Sequence, residues 1–210
     1  MTGPAAALLA AAALSAVVDW WAVHADRRPV EYVGKPLTLA LLTGAALALD
    51  PADPTVRAWF VVALALSLVG DVFLMLPSDR FVPGLASFLL AHVAYVVGFV
   101  AGGLEPAGVA LGLAVVVAAG VGVGVPLLRS ARRTAPALVG PVAAYMAVIS
   151  AMLVCAAGSW RAVAIAGALL FYLSDALIGY GRFVRSHRHG RLAVMVTYHL
   201  GQGLLVLSLL

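Results

Sequence analysis

Residues 56–76 read VRAWFVVALALSLVGDVFLML. A helix needs about 20 predominantly apolar residues to cross the hydrocarbon core of a bilayer, and this run is that long. The period-2 alternation of a membrane strand does not run through it, so it reads as a transmembrane helix and not as a barrel strand. Its one acid, Asp71, sits near the end of the run. Even permissive insertion scales put the cost of an aspartate at a helix centre at about 2.5–3.5 kcal/mol, so its presence calls for an explanation.

Working outward, the same pattern recurs along the whole chain. Apolar runs fall at 4–24, 34–50, 56–76, 82–102, 106–128, 135–157, 159–182 and 191–210. Pro36 opens the second run, where its missing N–H is harmless in a first helical turn. The first run has no basic residue ahead of it and is too long for the apolar part of a typical signal peptide, so it reads as a retained helix. The connections are short. The expectation is an all-α polytopic membrane protein, with eight transmembrane helices in one bundle and a single domain over 1–210.

Composition agrees. Of 210 residues, 64% are hydrophobic and 10% charged, with mean hydropathy +1.07. A soluble domain is nearer half apolar and a quarter charged, so the surplus must face lipid. The net charge of +4 does not point to nucleic acid, because the arginines sit in short loops between apolar runs. With eight spans, Arg27, Arg28, Lys35, Arg80, Arg129, Arg132, Arg133, Arg182, Arg185, Arg188 and Arg191 fall on one side, and Arg57 and Arg161 on the other. The positive-inside rule then places the eleven in the cytoplasm and both termini outside. The single cysteine, Cys155, excludes an intrachain disulfide.

The polar residues gather at one depth. Asp19, Asp71 and Asp175 lie late in helices running toward the basic side, roughly 5–12 Å below it at 1.5 Å per residue. Lys35, Ser87, His92, Tyr198 and His199 lie early in helices that enter from that side. A cleft open to the inner leaflet would explain this, with one carboxyl kept neutral and another ionised. The bland alternatives are helix capping, or pairing of Asp71 and Asp175 with loop arginines such as Arg80 and Arg182. For Asp19, beside Trp20 and Trp21, an interfacial aromatic belt serves equally well. Lys35 could receive a phosphate or snorkel. His92, Tyr95, Tyr145, Tyr172 and Tyr198 could be interhelical hydrogen bonders, and Gln202, lying deeper, needs a partner. His187 and His189 read as solvated loop residues near lipid head groups. Asp71, Asp175, His92 and His199 could in principle form a mixed metal site, but there is no HExxH, nucleophile elbow or Walker loop. Gly120, Gly122 and Gly124 read as a close-packing helix face. A spacing of 104 separates Asp71 from Asp175, and each has an aromatic residue 24 positions on, Tyr95 and His199. That hints at a 4+4 parallel repeat.

Lys35-Pro36-Leu37, Gly70-Asp71-Val72-Phe73-Leu74-Met75, the stretch 81–99 with Gly84, Phe88, His92 and Tyr95, and Leu173-Ser174-Asp175 resemble the YhhN family, which takes in bacterial YhhN proteins and the animal TMEM86 lysoplasmalogenases. The resemblance covers nearly the whole chain. It implies an eight-span enzyme of the bacterial plasma membrane that hydrolyses the vinyl-ether bond of a lysoplasmalogen or related lysolipid. The products would be a fatty aldehyde and a glycerophospho-alcohol. Asp71 and Asp175 match the family's motif aspartates and become the candidate catalytic pair, since two carboxyls handle a similar oxocarbenium ion in glycoside hydrolysis. Lys35 would hold the phosphate, while Ser87, His92, Tyr95, Tyr198, His199 and Gln202 would orient water and the ether oxygen. The implied partners are a lysophospholipid and membrane lipids, with no nucleic acid. No metal or organic cofactor is required. The rival reading is a proton-coupled transporter or lipid-binding protein, against which stands the crowding of polar groups on one side.

Overall fold

The structure is a computed structural model describing residues 1–78 and 80–210. It is all-helical among the described residues. The helices are α1 (Gly3–His24), α2 (Arg28–Ala48), α3 (Pro54–Met75), α4 (Phe81–Ala101), α5 (Pro106–Ala119), α6 (Val125–Thr134), α7 (Val139–Gly158), α8 (Ala162–Phe183) and α9 (Gly190–Leu207). A π-helical turn, Gly120–Gly124, joins α5 to α6, so Pro106–Thr134 forms one long rod.

Local chemistry sets the ends. Thr2 caps α1 by accepting from the Ala5 amide, and Asp53 caps α3 by accepting from the Thr55 and Val56 amides. Both side chains satisfy amides that a helix leaves orphaned. Pro29, Pro54 and Pro106 stand in the first turns of α2, α3 and α5. Pro36 does not open the second helix as expected. That helix begins at Arg28 behind Pro29, and Pro36 lies inside it. The earlier start carries charged Arg28 and Glu31 beyond the apolar run, which is why hydropathy alone misses it.

Six of the helical rods are long and apolar enough to cross a membrane: Gly3–His24, Pro54–Met75, Phe81–Ala101, Pro106–Thr134, Pro136–Gly158 and Ala162–Phe183. The other two of the eight expected, α2 and α9, carry the polar load, Arg28, Glu31 and Lys35 on one and Tyr198, His199 and Gln202 on the other. Large apolar side chains such as Leu14, Val17, Val62, Leu90, Leu113 and Val117 stand on the outer surface, the signature of an integral membrane protein.

Three hairpins, α1–α2, α3–α4 and α8–α9, pack around a core of Phe60, Phe88, Tyr95, Phe171 and Tyr198. Glycine permits the closest approach. A Cβ on Gly201 would stand 2.9 Å from the Phe171 amide nitrogen and 3.0 Å from the Gly167 carbonyl oxygen. The small-residue face expected at Gly120, Gly122 and Gly124 is only partly such a face. Gly124 backs onto the Met146 methyl, while Gly120 and Gly122, within the π-helical turn, face open space.

Candidate functional site

Two clusters form around the two motif aspartates. Asp71, on α3, is wholly buried. Lys35 of α2 places its Nζ 2.9 Å from Asp71 Oδ1, and the Tyr198 hydroxyl of α9 donates to Asp71 Oδ2 at 2.8 Å. The Lys35 ammonium also lies 5.6 Å from the Tyr198 ring centroid. An ammonium on one oxygen and a phenol on the other are the kind of partners that a buried carboxyl needs. Among the described residues, Asp71 is partnered by Lys35 and Tyr198, where a loop arginine was the bland alternative.

Asp175, on α8, has a different setting. Its Oδ2 accepts a short hydrogen bond from the Tyr145 hydroxyl of α7. His92 Nε2 of α4 stands 3.6 Å away, outside hydrogen-bond reach, while its Nδ1 is tied to the Phe88 carbonyl at 2.6 Å. Phe171 lies between the clusters, with ring centroids 4.7 Å from His92 and 5.3 Å from Tyr198. Deeper still, Tyr95 donates to Gln202 Oε1.

Access separates the acids further. A cavity of about 650 Å³ opens at the arginine-rich end, with Arg28, Arg80, Arg182 and Arg191 at its rim and Lys35 in its wall. A narrower apolar recess of about 60 Å³ shares Leu74, Phe81, Ile178 and Phe183 with it and is also lined by Tyr145 and Asp175. Asp175 therefore borders open space, whereas Asp71 lies behind Lys35.

The sequence pattern of the YhhN family matches residues 30–209. The chain belongs to the YhhN family. Human lysoplasmalogenase TMEM86B is 38% identical over 153 residues, covering 70% of this chain and 62% of that protein. A lysoplasmalogenase of Mycobacterium tuberculosis is 36% identical over 155 residues, covering 70% and 58%. Bovine lysoplasmalogenase TMEM86A is 32% identical over 154 residues, covering 70% and 63%. The chain thus spans about three fifths of the length of these relatives. No solved structure matches it.

Within this YhhN-family chain, Lys35, His92 and Tyr198 stand beside the aspartates. Ser87 is turned away, its hydroxyl donating to the Leu66 carbonyl at 2.7 Å to tie α4 to α3. His199 Nδ1 accepts from the Trp20 indole at 3.1 Å, so the mixed set of Asp71, Asp175, His92 and His199 is dispersed. Among the described residues, no three His, Cys, Asp or Glu side chains gather as a metal ligand set. His187 and His189 are exposed. Tyr145, read from the sequence only as a possible interhelical hydrogen bonder, is the direct partner of Asp175, while one further participant had no sequence signal. Glu31 receives Arg191 Nη2 at 2.6 Å, and loop-like charge density gave no sign of it.

Proposed function

We propose that this protein is a membrane hydrolase that cleaves the vinyl-ether bond of a lysoplasmalogen or closely related lysolipid. The observation that carries the reading is the position of Asp175, a hydrogen-bonded carboxyl lining an apolar recess that shares wall residues with an arginine-rimmed cavity. A single-chain phospholipid has that order of parts, with an anionic head, a reactive ether and an apolar chain. The names of the human and mycobacterial relatives support the same substrate class.

In this reading the phosphate sits among the rim arginines. Arginine suits it through its planar array of donors, and Lys35 is already engaged by Asp71. The vinyl ether lies over Leu74 and Phe88, with its β-carbon toward Asp175. The Asp175 carboxyl gives its proton to that carbon, and the ether becomes an oxocarbenium ion. The new Asp175 carboxylate faces the cation and removes a proton from the attacking water. The resulting hemiacetal collapses as Asp175 protonates the leaving glycerol oxygen and recovers a proton from the hemiacetal hydroxyl. Aldehyde and glycerophospho-alcohol leave, and the acid is reset. Asp71 contributes its charge through the low-dielectric interior, where a fixed anion stabilises a nearby cation strongly. Tyr145 holds the Asp175 carboxyl in place.

The arginine asymmetry supports a cytoplasmic mouth in the bacterial plasma membrane, with both termini outside. The deciding experiment offers lysoplasmalogen to purified protein in detergent and measures released aldehyde. Activity in the parent that survives intact in D175N sinks the mechanism, and an inactive parent sinks the function.

A further inference from the structure

A second cavity lies where α1 ends and α9 begins. It measures about 210 Å³ and is lined by Val23, His24, Arg188, His189, Arg191 and Leu192. It shares only Arg191 with the 650 Å³ cavity. Four of its six lining residues are basic in type, and none is acidic. Asp26 and Glu31 hold Arg191 in place, at 3.3 and 2.6 Å. Among the described residues, no hydrogen bond, ion pair or ring contact engages the side chains of His24, Arg188 or His189. Their donors are free for a ligand. His189 is the N-cap of α9, and its side chain makes no capping bond, so the positive end of that helix adds to the basic charge. A concave surface with charge of one sign collects the opposite ion.

The surface below the pocket says which anion suits it. Leu14, Val17, Val18 and Trp21 are exposed on α1. Their spacing of i, i+3, i+4 and i+7 makes one continuous stripe, and His24 stands one turn beyond its end. At 1.5 Å per residue, the rise from Leu14 to His24 is about 15 Å, or half of a hydrocarbon core about 30 Å thick. An acyl chain lying on the stripe therefore brings its phosphate to the pocket. Trp21 stands where indole rings favour the membrane interface. Basic pockets between membrane helices accept anionic head groups for the same reasons of charge and depth.

We propose that this pocket binds the phosphate of an anionic phospholipid of the surrounding leaflet. Arg188 supplies a planar array of donors to the phosphate oxygens. His24 and His189 each offer a ring N–H. Arg191, fixed by its two carboxylates, closes the side toward the larger cavity. The α1 stripe carries the acyl chain. The site is separate from the recess that holds Asp175, and it does not depend on the hydrolase reading.

The test is native mass spectrometry of the purified protein in detergent, offered equal amounts of phosphatidylglycerol and phosphatidylcholine with the same chains. The parent is expected to retain the anionic lipid about tenfold over the zwitterionic one. The variant H24Q/R188Q/H189Q is expected to bring that ratio within twofold of unity with its Tm unchanged, because all three side chains are exposed. R132Q/R133Q removes two charges from the end of α6 and is expected to keep the preference. If the triple variant unfolds early, R188Q alone carries the test, with an expected loss of preference of about fivefold. A parent without preference overturns the proposal. So does a folded pocket variant that keeps the parent's ratio, or an R132Q/R133Q protein that loses as much, since diffuse surface charge then explains the binding. Inorganic phosphate in molar excess is expected to leave the ratio standing, because it lacks the chain. If it abolishes the ratio, the pocket is a site for free phosphate and the lipid assignment falls.

Discussion

The Tyr198 hydroxyl donates to Oδ2 of Asp71 at 2.8 Å, joining α9 to α3 across 127 positions of sequence. With Lys35 on the other oxygen, it engages both carboxyl oxygens of Asp71, and the proposed reaction accordingly uses Asp71 as the anion and Asp175 as the proton donor. The consequence is a division of labour between the two motif acids, and it can be measured.

Asp175→Asn is expected to reduce kcat by about 10²–10⁴-fold, the usual range for removing a general acid. Tyr198→Phe, which leaves Asp71 paired with Lys35 alone, is expected to reduce kcat on the order of tenfold with little change in KM. Equal losses in the two variants would contradict the assignment of the donor to Asp175.

Lys35→Met should unfold at lower temperature. Removing one partner of a buried ion pair costs about 3–5 kcal/mol, because the other charge is left uncompensated. The K35M/D71N double variant is expected to regain most of that loss. Thermal unfolding of all three proteins in one detergent decides it, and additive losses would mean that the two groups are not coupled.

Arg28 and Arg80 stand at the rim of the cavity. Replacing either by alanine is expected to raise KM for an anionic lysolipid about fivefold, the equivalent of roughly 1 kcal/mol for an exposed ion pair, with kcat unchanged. The effect should shrink as salt is raised. A change confined to kcat would place the head group elsewhere.

Gly201→Ala is expected to cost about 1–3 kcal/mol, the range for overpacking. A methyl there would meet the Phe171 backbone at 2.9 Å, which can yield only by moving α8 away from α9. Phe171 packs against both His92 and Tyr198, so activity should fall together with Tm.

In a Cys155→Ser background, Thr2→Cys is expected to react with a membrane-impermeant maleimide added outside intact cells, while Ser186→Cys, in the arginine-rich loop, should react only after lysis. The opposite labelling pattern would invert the orientation.

What the sequence alone determined is the one-dimensional part. Insertion into a bilayer is close to additive along the chain, so apolar run length showed the helical membrane fold, and loop arginines showed the asymmetry between its two ends. The same cost singled out Asp71 and Asp175 as residues that need a reason. Runs diluted by charge were less legible, and α2 was placed too late for that reason. Tertiary structure decided which groups meet. Asp71 takes Lys35 and Tyr198, Asp175 takes Tyr145, Ser87 serves a backbone carbonyl, and Asp19 lies buried against Gly34. Those choices depend on how each helix is rotated and how closely it approaches helices distant in sequence. Hydropathy measures depth and is blind to rotation, so the sequence could show the layer in which the buried polar residues lie, while only packing could place one acid on the apolar recess and the other behind a lysine.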